Sequence, residues 1–229
     1  MLILGIETAS STASVALLQD GTLLAEHSVH HTRTHSETVM PMVERMLIDL
    51  GLAPNQLHAI AVNCGPGSFT GVRIGVCAAN AMGAALSTPV VGIDALRALY
   101  ENVRFWPGNV CAMIDANNDS AYFGQYADGD ITAQPAAEEV AIYLNSVPSG
   151  TLFVGDGAAA YEALIRQMVE GAKIAPEYAS LSHASALCRV AERTLQESIE
   201  PPMEALPLYL RPSQAERMWQ KLHGASEKG

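Results

Sequence analysis

Residues 3–23, ILGIETASSTASVALLQDGTL, align without a gap on residues 111–131, CAMIDANNDSAYFGQYADGDI, and this internal repeat limits the architecture more than any other feature. Ile6 meets Ile114, Glu7 meets Asp115, Ala13 meets Ala121, and the pair Asp20-Gly21 meets Asp128-Gly129. Each copy reads as an apolar strand, an acidic residue at its end, a small polar turn, a second strand and an Asp-Gly hairpin turn. Each half then offers a further strand running into a G-x-G turn and a helix: IAVNCGPGSFTG in the first, LFVGDGAAAYEALI in the second. The pattern predicts an α/β fold of two lobes with one topology, residues 1–106 and 107–229, facing each other across a cleft with Glu7 and Asp115 near its mouth.

Helices are expected over residues 34–50, 70–86, 94–101, 158–170, 183–199 and 213–222, and a short strand, EALPLYLRP, closes the second lobe. In the first helix Thr34 and Glu37 are spaced as a capping box and Gly51 is the stop, while Pro41 implies a later start or a kink. The uncharged residues 74–93 have the length of a membrane span, but Ala, Gly, Asn, Ser, Thr and Pro89 make them weakly apolar, and a buried helix followed by a strand is the expectation. The N-terminal MLILGIETAS has no basic stretch before its short apolar run, which points to a cytoplasmic protein.

A net charge of -11 argues against a broad contact with nucleic acid, whose binding rests on Lys and Arg neutralising phosphates. The thirteen basic residues are scattered, so in a nucleic-acid pathway a partner would make most of the phosphate contacts; a solubilising acidic surface explains the charge equally. Cys64, Cys77, Cys111 and Cys188 stand far apart without a C-x-x-C, so reduced thiols are expected rather than a zinc site or a disulfide framework.

The loop CGPGSFTGVRIG has the punctuation of a phosphate cradle and the wrong charges for one. A Walker A loop requires a lysine after its last glycine, and none follows here. The dinucleotide fingerprint fails at Thr70, and a nucleophile elbow fails because Pro66 and Thr70 flank Ser68. Two readings stay open: an anion held by backbone N–H groups around Gly65, Gly67, Ser68 and Thr70, or an ordinary tight turn from strand to helix.

Beyond the loop, Gly71, Gly75, Ala79 and Gly83 recur every fourth residue and leave one helix face nearly bare. Each interior glycine costs about 1 kcal/mol relative to alanine, so a compensating contact is required, either with the chain's own sheet or with a partner helix. On the preceding helix Met40, Val43, Met46 and Leu47, with Val39, Met42 and Leu50, fill an arc of roughly 160°, wider than the stripe a one-sided surface helix needs, with Ile48 opposite. An adaptable docking surface and a plain core both fit such a methionine-rich arc.

His27, His30, His31 and His35 invite a metal reading through the H-x-x-x-H spacing of His31 and His35, but that pair straddles a helix start and lacks a third ligand, which favours surface histidines. Glu7, Asp115 and Asp156 each end a strand at a turn. Such carboxylates either gather as magnesium ligands or are simply solvated and capping.

LGIETAS with ASVALLQDG at the start, AVNCGPGSFTGVRIG in the middle, IDA at 114–116 and LYLR near the end together resemble the TsaB family, also called YeaZ. The resemblance covers nearly the whole chain. It implies two RNase H-like lobes of the actin and sugar-kinase superfamily and a subunit of the bacterial complex that makes threonylcarbamoyladenosine in tRNA. In that complex TsaD transfers the threonylcarbamoyl group, TsaE is an ATPase, and TsaB is a dimerising scaffold without catalytic residues. TsaD carries an H-x-x-x-H metal motif after the strand that follows its own Gly-Pro-Gly helix; the corresponding segment here, PVVGIDALRAL, has no histidine.

The resemblance therefore implies no cofactor and no metal on this chain alone, with nucleotide and metal on partner subunits, and tRNA reached mainly through them. It places the surface for TsaD, and for a homodimer, on the first two helices, and so on Met40, Val43, Met46, Leu47, Gly71, Gly75, Ala79 and Gly83. Two positions depart from the family: Glu7-Thr8-Ala9 stands for D-T-S, and Asn117-Asn118 replaces an arginine pair after Ala116. The competing reading is an actin-like ATPase or sugar kinase using Glu7 and Asp115 around a nucleotide. No Ser-His-Asp spacing supports a peptidase.

Overall fold

The computed structural model describes residues 1–30 and 35–211. The first part of the chain gives β1 (Leu2–Glu7), β2 (Thr12–Gln19), β3 (Thr22–His30), α1 (His35–Asp49), β4 (Ala59–Gly65), α2 (Phe69–Leu86), β5 (Val90–Asp94) and α3 (Ala95–Asn102). The second gives β6 (Asn109–Asp115), β7 (Ser120–Ala127), β8 (Asp130–Glu139), α4 (Val140–Tyr143), β9 (Leu152–Val154), α5 (Asp156–Ala160), α6 (Glu162–Met168), β10 (Lys173–Ile174), α7 (Glu177–Ser180) and α8 (Ala184–Glu197).

Among the described residues the strands form two five-stranded sheets, ordered β3-β2-β1-β4-β5 and β10-β9-β6-β7-β8. In the first, β1 pairs antiparallel with β2 and parallel with β4; in the second, β6 pairs antiparallel with β7 and parallel with β9. Glu7 and Asp115 both close the ends of their hairpins, but Glu7 pairs with Ser14 and Asp115 with Ala121, whereas the gapless alignment sets Ser14 on Tyr122, so the two hairpin registers differ by one residue. Both Asp-Gly turns have the two positive φ angles that a tight hairpin demands, 46° and 76° at Asp20-Gly21 and 52° and 99° at Asp128-Gly129.

β1 and β4 are apolar and buried on both faces because helices cover the first sheet on both sides. On one side Val39, Val43, Met46 and Leu47 of α1 and Val72, Val76 and Ala79 of α2 pack on Leu4, Ile6, Val15, Ile60 and Val62. On the other, Ala184, Leu187, Cys188 and Ala191 of α8 pack on Ile3, Ala16, Leu18 and Ala61. The second sheet is covered by α4, α5 and α6 through Val140, Tyr143, Ala158 and Ile165, and on its inner side by α3 through Leu96, Leu99 and Tyr100.

Among the described residues, the last helix of each half reaches the other half's sheet, although Ala98 of α3 also packs on the first sheet with Val91 and Ile93. α3 follows the first sheet and packs on the second; α8 follows the second and packs on the first. The two helices meet between the sheets, where Arg193 of α8 binds the buried Glu101 of α3 through both guanidinium nitrogens. Gly5, in the middle of β1, admits α8 so closely that a side chain there would strike the Ala184 carbonyl and the Cys188 sulfur.

Several expectations are corrected. Residues 1–106 and 107–211 hold one sheet each, but the packing crosses between them, because α8 and the residues at 202–208 lie on the first sheet. EALPLYLRP is not a strand of the second lobe: its described residues, 204–211, form an extended strap with Leu208 N donating to Cys64 O at 2.7 Å, and just before it Pro202 O accepts from Val90 N of β5 at 2.9 Å. Asn80 of α2 clasps it at both polar groups of Ala205, each at 2.9 Å. The helix expected over 158–170 starts earlier and breaks at Tyr161, giving α5 and α6. Residues 74–93 divide into the end of α2 and β5. The capping role of Thr34, the His31 end of the H-x-x-x-H pair and the helix over 213–222 lie outside the described residues.

Candidate functional site

Two surfaces hold the residues singled out in the sequence: the cleft between the sheets and the outer layer formed by α1 and α2. The turn after β1 belongs to both. Ala9, Ser10, Ser11 and Thr12 line a cleft of about 360 Å³ opposite Asp115, Asp156 and Ser182. The same turn is wedged under α2, where Ser68 N donates to Ala9 O at 2.7 Å and the Thr8 hydroxyl donates to Gly71 O at 2.7 Å.

This wedge explains the glycine stripe. A β-carbon at Gly71 would collide with the Thr8 carbonyl, one at Gly75 with the Thr8 hydroxyl, and one at Gly83 with Val90. Gly71, Gly75, Ala79 and Gly83 are all buried inside their own lobe, as are Val43, Met46 and Leu47. Assigning those seven to a partner surface is therefore corrected, because the chain's own sheet and turn already fill the space against them. Of the eight, Met40 alone faces solvent, at 41% exposure.

The exposed side of these helices was missed. Arg73, Cys77, Ala81 and Ala85 recur every fourth residue on the face opposite the glycines and stand exposed, with Ile74 and Ala78 half-buried beside them. On α1, next to α2 over the same core, Met40, Glu44, Arg45 and Ile48 point outward, Ile48 at 64% exposure. The signal was present in the sequence: over 18 residues α2 carries Arg73 as its one charge and has a mean hydropathy of 1.3, so it is apolar on its outer face as well as its inner one. It has the length and apolarity of a membrane span by those measures, yet its inner face is packed on the sheet.

The loop residues proposed for an anion have structural occupations. Ser68 caps α2, its hydroxyl accepting from Gly71 N at 3.2 Å. Gly65, with φ of 105°, lies where a β-carbon would stand 2.7 Å from Leu208 O of the strap. Gly67 lies against the Ala9 carbonyl, and Thr70 is exposed on the first turn of α2.

Glu7 does not join the cleft carboxylates. It is sealed, with Oε1 accepting from Ala9 N at 2.7 Å and Oε2 from Asn63 Nδ2 at 2.5 Å. Burial pushes its carboxyl up to about 7, against the lowering effect of the Asn63 and backbone bonds. Asn63 in turn accepts from Gly65 N at 2.8 Å, so Glu7 ties the ends of β1 and β4 together.

Asp115 and Asp156 do meet on the cleft wall. Asp156 Oδ1 accepts from Asp115 N at 3.0 Å, and Asp115 Oδ1 accepts from Asn117 N at 2.9 Å and from the Tyr161 hydroxyl at 3.2 Å. Desolvation raises Asp156, against the bonds from Asp115 N and Gly157 N, and the Asp115 charge raises it further. Among the described residues no three His, Cys, Asp or Glu side chains come together as a metal-binding group. His30 on β3 meets Thr12 Oγ1 through Nδ1 at 3.1 Å.

Two mixed sheets enclosing a cleft, with α1 and α2 on the outside of the first and the outer side of α2 uncovered among the described residues, define a two-sheet α/β protein. Comparison with known proteins narrows the class. Residues 23–219 match the family model described as TsaD: tRNA N6-adenosine threonylcarbamoyltransferase. The chain is 32% identical to the tRNA threonylcarbamoyladenosine biosynthesis protein TsaB of Haemophilus influenzae, over 98% of each chain. It is 38% identical to the Bacillus subtilis protein of that name, with the matched part spanning about half, 55%, of each. YeaZ from Pseudomonas aeruginosa superposes with a TM-score of 0.78 at 28% identity, covering 91% of this chain and 99% of that one. The chain belongs to the TsaB (YeaZ) family.

Proposed function

We propose that the chain is a non-catalytic scaffold subunit that binds TsaD, with TsaE, for the threonylcarbamoyladenosine modification of tRNA in the cytoplasm. Its two sheets, alike in strand order and direction, are read as duplicated RNase H-like lobes of the actin and sugar-kinase type. The single observation that carries the docking role is the outward face of α2, uncharged from Ile74 to Leu86 and flanked by Met40 and Ile48 of α1. An apolar surface of this continuity calls for a covering partner. TsaD is the occupant, and a second copy of this chain takes the same face when TsaD is absent. Nucleotide, metal and most tRNA contacts fall to the partner subunits, in keeping with the net charge of -11.

Reconstitution tests the reading. Threonylcarbamoyl transfer to tRNA by TsaD and TsaE of the same organism should require this chain and should persist with Asp115→Asn and Asp156→Asn. Loss of transfer with those two variants, if complex assembly is intact, would overturn the non-catalytic assignment. The cleft position of Asp115 and Asp156 favours one second reading, an ATPase or sugar-kinase-type enzyme. Calorimetry with ATP and magnesium on the isolated chain separates them: micromolar binding with turnover supports the enzyme.

A further inference from the structure

We propose, on the docking role described above, that Arg73 is the charged anchor of that face and takes a carboxylate side chain of TsaD. Arg73 is the one charged residue of α2 and stands exposed at the head of the uncharged stretch from Ile74 to Leu86. Its guanidinium is held in a fixed plane. The central carbon lies 3.9 Å from the centroid of the Phe69 ring, one turn back on the helix, and Nε donates to the Tyr209 hydroxyl at 2.9 Å. The two rings are themselves in contact, with centroids 5.2 Å apart. Tyr209 comes from the strap, which Leu208 N pins to the Cys64 carbonyl and which reaches the second sheet through Arg211 Nη2, donating to Ser120 Oγ at 3.1 Å. The arginine is thus clamped before any partner arrives, and less of its rotamer freedom remains to be lost on binding.

The clamp also defines what Arg73 meets. With Nε engaged by Tyr209, the two terminal nitrogens are left to donate, and no carboxylate among the described residues forms an ion pair with them. Phe69 and Tyr209 are 41% and 46% exposed, so a partner that covers α2 covers these rings and the guanidinium together. Enclosing an unpaired guanidinium in an apolar interface is strongly unfavourable, and the partner has to bring an anion with it. A carboxylate is the planar, forked acceptor that matches two parallel N–H donors. A tRNA phosphate is disfavoured, because phosphate-binding grooves line up several cations, whereas Arg73 is followed by an uncharged helix on a chain of net charge -11.

Calorimetric titration of the full chain with TsaD of the same organism, at low and high salt, tests the anchor. Arg73→Gln should weaken binding by roughly 30-fold or more and flatten its salt dependence. Arg73→Lys should recover only part of the loss, since an ammonium keeps the charge but neither the fork nor the stacked plane. Tyr209→Phe, which removes only the hydroxyl that holds Nε, should weaken binding several-fold. Wild-type affinity in Arg73→Gln, while Ala81→Glu combined with Ile48→Glu abolishes binding, would overturn the anchor and leave the docking face standing. Wild-type affinity in both would overturn the docking face as well. An Arg73→Gln chain that binds TsaD normally but self-associates less, or crosslinks less to tRNA in the assembled complex, would also overturn the proposal and assign the guanidinium to a second copy or to a phosphate.

Discussion

Glu7 is the residue whose chemistry reports most directly on the fold. Its unfolded-state value is 4.5 and its folded value about 7, so the native state holds a proton that the unfolded chain releases between those limits. The contribution to stability is therefore complete below about pH 4.5 and is lost as pH rises through 7. A fully buried carboxyl shifted this far changes stability on the order of 3 kcal/mol. Asp94, the N-cap of α3, is raised by desolvation from 3.8 to about 6 and acts in the same direction over a lower window. Urea midpoints should fall between pH 5 and pH 8, and Glu7→Gln should flatten that slope; an unchanged slope would mean the carboxyl is solvated.

Other residues show what a sequence can and cannot say at this scale. Asn117 and Asn118, which stand where the family resemblance leads one to expect arginines, adopt φ of 59° and 54°, left-handed backbone that asparagine tolerates best among residues with side chains. Their identity was visible in the sequence; their reason was not, because a left-handed turn is set by the strands it joins. Gly75 gave the opposite lesson. Its need for a close neighbour was legible, but spacing alone does not distinguish the protein's own Thr8 from a foreign helix. Gly75→Leu should therefore lower stability by about 1–3 kcal/mol through overpacking against Thr8 and Val62, seen as a fall in the melting temperature.

Among elements, α2 divides into an inner face fixed by glycines and an outer face of Cys77, Ala81 and Ala85. Substitutions on the two faces should part company. Ala81→Glu should leave the unfolding free energy within about 0.5 kcal/mol of wild type, as surface changes do, while weakening partner binding. Gly75→Leu should do the reverse at the level of folding. The helical period showed that α1 and α2 are apolar; which side meets solvent follows from the sheet beneath them, and that is long-range information. The strap illustrates the same limit. Its LYLR segment reads as a strand by composition, yet it finds β5, Asn80 and the Cys64 carbonyl only after the chain has returned from the second half.

At the scale of the molecule, the repeat foretold two sheets of matching strand order, and the structure has them. It did not foretell that α3 and α8 each reach the other half's sheet, although Gly5 inside the apolar β1 hinted at a close approach. This crossing makes each half incomplete alone: without α8 one face of the first sheet, with Ile3, Ala16, Leu18 and Ala61, would be open to water. The chain should consequently unfold in one cooperative transition, with far-ultraviolet circular dichroism and Trp106 emission in the Trp219→Phe variant giving coincident curves. Separate transitions for the two sheets would contradict this.

The proposed scaffold role rests on the outer face of α1 and α2 receiving TsaD. Sedimentation of the chain mixed with TsaD of the same organism tests it most directly. Wild type and Glu7→Gln should both form a complex of defined mass, whereas Ala81→Glu combined with Ile48→Glu should sediment as separate components. A complex of unchanged mass and affinity with that double variant would contradict the claim.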